Sequence, residues 1–326
     1  MISVKHLTKY YGDHLAVNDI SFEIESGHVY GFLGPNGAGK STTMNIITGC
    51  LSATDGTVLI DGHDIFEEPD AAKKCIGYLP EHPPLYMNET PLEYLVFVAE
   101  AKGLRGSDLK AQIDEVIEKT GIANVKHRRI SQLSKGYKQR VGIAQALLGN
   151  PKVIILDEPT VGLDPIQIIE IRDLIKDLGK THTVIFSSHI LSEVQAICDQ
   201  IVMIAKGKLV ALGAPEELQK QLLASNEIVL TTDAPTNELT QLVTSIAHIS
   251  ELTAEKDGKF TKVHIQTDCE DIYTLSADIF RTFAKSKWVI YEMELKKGNL
   301  EDVFIELSES RPSDAVAGLE EKEEKA

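Results

Sequence analysis

The chain has 326 residues, 43% of them hydrophobic and 25% charged, enough for about two packed domains at roughly 100–200 residues each and too apolar for wholesale disorder. A formal net charge of −16 makes it a poor general partner for nucleic acid, whose phosphates call for Lys/Arg surfaces. No run approaches the roughly 18 apolar residues that cross a bilayer, so any membrane it serves is expected to be spanned by another chain.

The chain opens with strand patterns. SVKHLTKYYG and LAVNDISFEIESG alternate apolar and polar positions and end in Gly. HVYGFLG follows as a short apolar strand, then a Gly-rich turn, then STTMNIITGCLS as a helix. GTVLIDGHDI and CIGYLPE read as further strands. From about Thr90 to Gln132 the apolar spacing shifts towards 3.6, predicting amphipathic helices in PLEYLVFVAEAKGL and DLKAQIDEVIEKTGI. SKGYKQRVGIAQALLGN is a third helical run. KVIILDEP is a buried strand, IQIIEIRDLIKDLGK a helix, THTVIFSSHI a strand, LSEVQAICD a helix and QIVMIAKGKLVALGAP a hairpin. Alternating strands and helices predict an α/β domain with a mainly parallel sheet over residues 1–215, its helical subdomain at about 85–150.

PEELQKQLLASN predicts a linker helix over 216–226. Residues 227–310 then read as βαββαβ plus a final helix, the order of a ferredoxin-like α+β module, with Asn299 as N-cap of that helix. The tail, 311–326, is polar and charged and is expected to be disordered. Cys50, Cys75, Cys198 and Cys269 lack metal-ligand or redox spacing, and the first residues lack a signal-peptide core. Free thiols in the cytosol are the expectation.

Three motifs carry chemistry. GPNGAGKST fits G-x-x-x-x-G-K-[ST] between a predicted strand and a predicted helix. There the backbone of Gly34, Pro35, Asn36, Gly37, Ala38 and Gly39 can wrap phosphates, with Lys40 on the β- and γ-phosphates, Ser41 on Mg²⁺, and Thr42 in the first helical turn. VIILDE places Asp157 and Glu158 at a strand end, the first suited to hold Mg²⁺ through its water shell and the second to orient or deprotonate an attacking water. LSKGYKQR, from Leu133 to Arg140, resembles the signature motif of ABC ATPases, usually written LSGGQ.

With Tyr11 before Gly12, the turn at YLPE, GLDP from Gly162 to Pro165 and His189 after a strand, the motifs follow the ABC order across residues 1 to about 220. The Lys-Gly-Tyr variant and the ending NLEDVFIEL resemble the drug-, polysaccharide- and gliding-motility-type export subgroup. The resemblance implies ATP hydrolysis with ATP and Mg²⁺, coupled to export through a separate transmembrane permease at the inner face of the cell membrane. It implies a second ATPase subunit, identical or not. Tyr11 would stack on adenine, Ser134 and Gly136 would meet the γ-phosphate held by the other subunit, Asp164 would shape the loop between the two sites, and His189 would bond the γ-phosphate. Glu81 departs from the Gln of most ABC ATPases, though Glu is familiar in the export subgroup, and is a further candidate Mg²⁺ ligand. The competing expectations are a soluble ABC ATPase acting on translation or DNA, which the single P-loop and lack of sustained heptads argue against, and a non-catalytic regulatory module, which Glu158 and His189 argue against.

Overall fold

A computed structural model describes residues 1–222, 226–243, 246, 249–267 and 271–296. It divides into two compact units, Met1–Pro215 and the chain from Glu216 onward.

The first unit holds two sheets. In one, β1 (Ile2–Tyr11) lies between β2 (His14–Ile24) and β4 (Asp55–Ile60), with β5 (His63–Asp64) at the edge beyond β4. Its pairs are antiparallel. The other sheet runs β10 (Lys208–Gly213), β9 (Gln200–Ala205), β3 (Val29–Leu33), β8 (Thr183–Ser188), β7 (Val153–Leu156) and β6 (Ile76–Leu79). Only β10 is antiparallel to its neighbour. The parallel sheet is thus as predicted, whereas the opening strands form a sheet of their own. The cause is local: β1 and β2 are long and joined by the two-residue turn Gly12-Asp13, which pairs them as a hairpin before any helix intervenes.

One core joins the sheets. Ile2, Leu7, Phe22 and Ile24 of the first sheet pack with Phe32, Ile155, Ile185 and Val202 of the second, and with Met44, Ile46 and Ile47 of α1 (Lys40–Ile47). The Phe22 and Phe32 rings sit 5.8 Å apart. β7 is a continuous Val/Ile/Leu run because both faces of the sheet are covered there, and β7 and β8 are buried at every residue.

The helical segment comprises α3 (Pro91–Ala101), α4 (Gly106–Lys119) and α5 (Lys135–Leu147), which pack on one another. Thr90 starts α3 with a capping box: its hydroxyl accepts from Glu93 N while Glu93 accepts from Thr90 N at 2.8 Å. α5 is pressed on β6 at Gly77, where an added Cβ would stand 2.1 Å from the Ala146 carbonyl oxygen. α2 (Pro69–Lys74), α6 (Pro165–Gly179) and α7 (Leu191–Gln195) complete the unit. α2 is a short helix that the sequence pattern did not announce.

In the second unit the strands are β11 (Asn226–Thr232), β12 (Ile249–Asp257), β13 (Phe260–Thr267) and β14 (Ile290–Lys296), after α8 (Pro215–Leu222). They form one antiparallel sheet in the order β12-β13-β11-β14. α9 (Thr236–Val243) and α10 (Ile272–Ala284) supply Leu239, Ile272, Leu275, Ile279 and Phe283 to a core with Ile228, Leu230, Val263 and Ile265. First strand inside, second and fourth outside, is the ferredoxin-like arrangement. The final helix with its Asn299 cap and the tail 311–326 lie outside the described residues.

Candidate functional site

β3 is central in the parallel sheet, flanked by β8 and β9, and the loop from Gly34 leaves its C-terminal end to enter α1 at Lys40. Ligands of open α/β sheets sit at such strand ends. Gly39 caps α1 with φ +104°, and a Cβ there would lie 2.7 Å from the Ala16 carbonyl oxygen. Both the backbone conformation and the space therefore exclude a side chain. The first N–H groups of α1 have no acceptor within the helix, and the helix dipole adds positive potential at the same end.

Lys40 is buried. Its Nζ donates to the carbonyl oxygens of Gly34 at 2.8 Å and Pro35 at 3.3 Å, and lies 3.5 Å from Glu158 Oε1. Burial pulls its pKa below the usual lysine range, against the opposing pull of Glu158, Asp157 and Glu81. Asp157 and Glu158 follow β7 and are both buried. Asp157 Oδ1 accepts from Ser187 Oγ at 2.6 Å and from Ser41 Oγ at 3.3 Å. Glu158 adopts the left-handed φ of +47°, uncommon for a residue with a side chain, and its N–H donates to Ser187 Oγ at 2.7 Å. His189, the first residue after β8, places Nδ1 3.0 Å from Glu158 Oε2.

These groups surround one cavity of about 390 Å³, lined by Tyr11, His14, Ala16, Asn36, Gly37, Gly39, Lys40, Ser41, Thr42, Glu81, Glu158, Val161 and His189. Gly34, Pro35, Ala38 and Asp157 belong to the same loop and strand end without lining it. Tyr11 and Glu81 are exposed at its mouth. Hydroxyl and carboxylate oxygens from Ser41, Asp157 and Glu81 are the hard donors that Mg²⁺ takes, and so few of them suits an ion that shares its shell with water and phosphate.

The remaining predicted residues lie elsewhere. Ser134, Gly136 and Asp164 line a separate cleft of about 430 Å³ with Gly121, Tyr137, Arg140, Ile166, Gln167, Glu170 and Ile171. No residue is shared between the two clefts. Ser134 is the N-cap of α5, accepting from Tyr137 N at 3.4 Å, and Asp164 the N-cap of α6, accepting from Gln167 N at 2.9 Å.

Sequence reasoning missed four residues. His14, Ala16 and Val161 line the first cavity, and Ser187 ties Asp157 to Glu158 from beneath. The first two arrive through the β1–β2 hairpin, which no motif announces. Ser187 had a weak signal, as a hydroxyl residue at the end of a buried strand just before His189.

Comparison with known proteins gives consistent relatives. A family model described as ABC transporter matches residues 17–161. The chain is 33% identical to the bacitracin transport ATP-binding protein BcrA of Bacillus licheniformis, over 94% of this chain and 97% of that one. Among solved structures it resembles cbiO1 of Clostridium perfringens, described as part of the ABC transporter complex cbiONQ, with TM-score 0.61 and 31% identity over 67% of this chain and 89% of that one. It also resembles the cassette MJ0796 in a dimeric post-hydrolysis state bound to ADP and Pi, with TM-score 0.59 and 27% identity over 66% of this chain and 98% of that one.

Proposed function

The chain belongs to the ABC transporter family as an ATP-binding, ATP-hydrolysing subunit, and from that premise we propose that it works as one of two identical cassettes energising export through a separate permease. The observation that carries the proposal is the division of labour between the clefts. The P-loop, Glu158 and His189 surround one, while Ser134, Gly136 and Asp164 line the other. A single chain thus presents one half of an ATP site in each cleft, and two copies facing each other complete both sites.

In this mechanism the β- and γ-phosphates take the N–H groups of the P-loop and α1, with Lys40 turning its Nζ from the Gly34 and Pro35 carbonyls to the phosphate. Tyr11 packs against the adenine ring. Ser41 and Asp157, with Glu81 across the cavity, would hold Mg²⁺, which supplies charge neutralisation on the phosphates. Glu158 accepts a proton from the attacking water as the water oxygen bonds to the γ-phosphorus. The bond from that phosphorus to the β–γ bridging oxygen breaks, and ADP leaves with the electron pair. The Nδ1 contact with Glu158 orients His189, which presents its other ring nitrogen to the γ-phosphate. Ser134 and Gly136 of the second copy touch the same phosphate, so ATP favours the closed pair and its loss favours opening.

Coupling to the permease is assigned to Glu81 and the helical segment beyond it. Tyr86 and Phe97 are exposed there with their rings 5.2 Å apart. No helix among the described residues is long and apolar enough to cross a membrane, which fits a peripheral subunit held by its permease at the cytoplasmic face. The kinship with a bacitracin transport protein supports export of a drug-like or antibiotic cargo over polysaccharide. Phosphate release is the test. Lys40→Ala should lower turnover by roughly a hundredfold or more, since it removes a buried cation from the phosphate-binding loop. Unchanged release in that variant would remove the assignment of the site.

A further inference from the structure

Behind the hydrolytic site lies a buried carboxylate to which none of the motifs assigns a role. Glu193, on α7, is 3% exposed. Its Oε2 accepts two hydroxyls, from Thr160 at 2.7 Å and from Ser188 at 3.1 Å, both of them buried. Its Oε1 lies 3.7 Å from the Arg172 guanidinium of α6. Ser188 Oγ in turn accepts from Ile190 N at 3.0 Å.

The positions of these partners carry the inference. Thr160 is two residues after Glu158, and Ser188 is the residue before His189. The Glu158–His189 contact at 3.0 Å closes the circuit on the cavity side. Covalent and hydrogen bonds therefore form a ring: Glu158, the strap to Thr160, Glu193, Ser188, His189 and back to Glu158. A carboxylate inside protein is stable only when its oxygens are paired, so the ring holds its shape as a unit. Arg172 ties the ring to α6, the helix that Asp164 starts in the second cleft.

We propose that Glu193 is a positioning residue for ATP hydrolysis: it locks the strap after Glu158 to the residue before His189, and so sets the distance between base and histidine. The proposal rests on the roles assigned above to Glu158 and His189. Glu193 does not line the cavity, and its effect travels through His189. A carboxylate is needed because one oxygen must take two hydroxyls while the other faces a cation.

The test compares Glu193→Ala in the full chain with the same change in a His189→Ala background, reading kcat, KM for MgATP and melting temperature. In the otherwise wild-type chain kcat should fall roughly tenfold to a hundredfold, as for displacement of a catalytic group by a fraction of its contact distance, with KM moved by less than about threefold. In the His189→Ala background the same change should cost less than about threefold, because residues acting as one unit are not additive. Ser188→Ala, which deletes one hydroxyl and leaves the carboxylate paired with Thr160, should repeat the pattern in smaller size; it serves if Glu193→Ala does not fold. An equal drop in both backgrounds, or unchanged kcat with the fold intact, would overturn the positioning role while leaving His189 in place. Full turnover in His189→Ala alone would remove the role of His189 and this inference with it.

Discussion

Glu158 is constrained at both its backbone and its side chain. It is buried, left-handed at φ +47°, held at its N–H by Ser187 and at its carboxylate by His189 and Lys40. Ser187 is the cheapest place to test that arrangement. Ser187→Ala leaves the Glu158 N–H without its acceptor and Asp157 without its shortest donor. An unpaired buried donor costs roughly 1–3 kcal/mol, so thermal melting should fall and kcat with it, while ATP still binds through the P-loop. Wild-type kcat in a stable Ser187→Ala protein would mean that the strained backbone at Glu158 needs no support from below. Much of the candidate site was legible in the sequence: Gly34 and Lys40 stand in a Gly-rich loop between strand and helix, Asp157 and Glu158 follow a buried strand, and His189 was read through the family resemblance. Ser187 and Glu193 were not, because their partners are about thirty residues away in the chain, as with Ser187 and Asp157 and with Glu193 and Thr160, and contact at that separation leaves no periodic trace.

At the scale of elements, the placement of α5 decides where Ser134 and Gly136 stand. α5 sits on β6 through Gly77, and nothing but a hydrogen fits between that residue and the Ala146 carbonyl. Gly77→Ala should therefore displace α5 as a body. Overpacking of this kind costs roughly 1–3 kcal/mol, and here the obstacle is backbone, which cannot rotate away. The expected result is a melting temperature lowered by several degrees together with weakened ATP-driven pairing; an unchanged melt would show that α5 has slack. The strands and helices were readable from their periods, with α1 ending earlier than its pattern, at Ile47, where Thr48 and the left-handed Gly49 stop it. The separation of β1, β2, β4 and β5 into their own sheet was not readable, since alternation says which face a residue takes and not which sheet a strand joins. That sheet matters for function, because its hairpin delivers Tyr11, His14 and Ala16 to the cavity.

For the whole molecule, the decisive feature is that its two clefts share no residue. In the proposed mechanism Ser134 and Gly136 act on the ATP held by the other copy, and this fold sets them in a different cleft from the P-loop. Motif order alone is compatible with either arrangement; the family resemblance implied that Ser134 and Gly136 serve the other subunit, and the structure agrees in placing them away from the P-loop. The ferredoxin-like unit is a second folded body with its own core. The claim of a shared site is tested most directly by the solution mass of Glu158→Gln with and without ATP. That variant keeps the phosphate and metal ligands and loses the group that removes ATP. The predicted result is a single subunit without nucleotide and twice that mass with ATP, reversed when Ser134 and Gly136 are replaced in the same chain; one subunit mass at saturating ATP would contradict it.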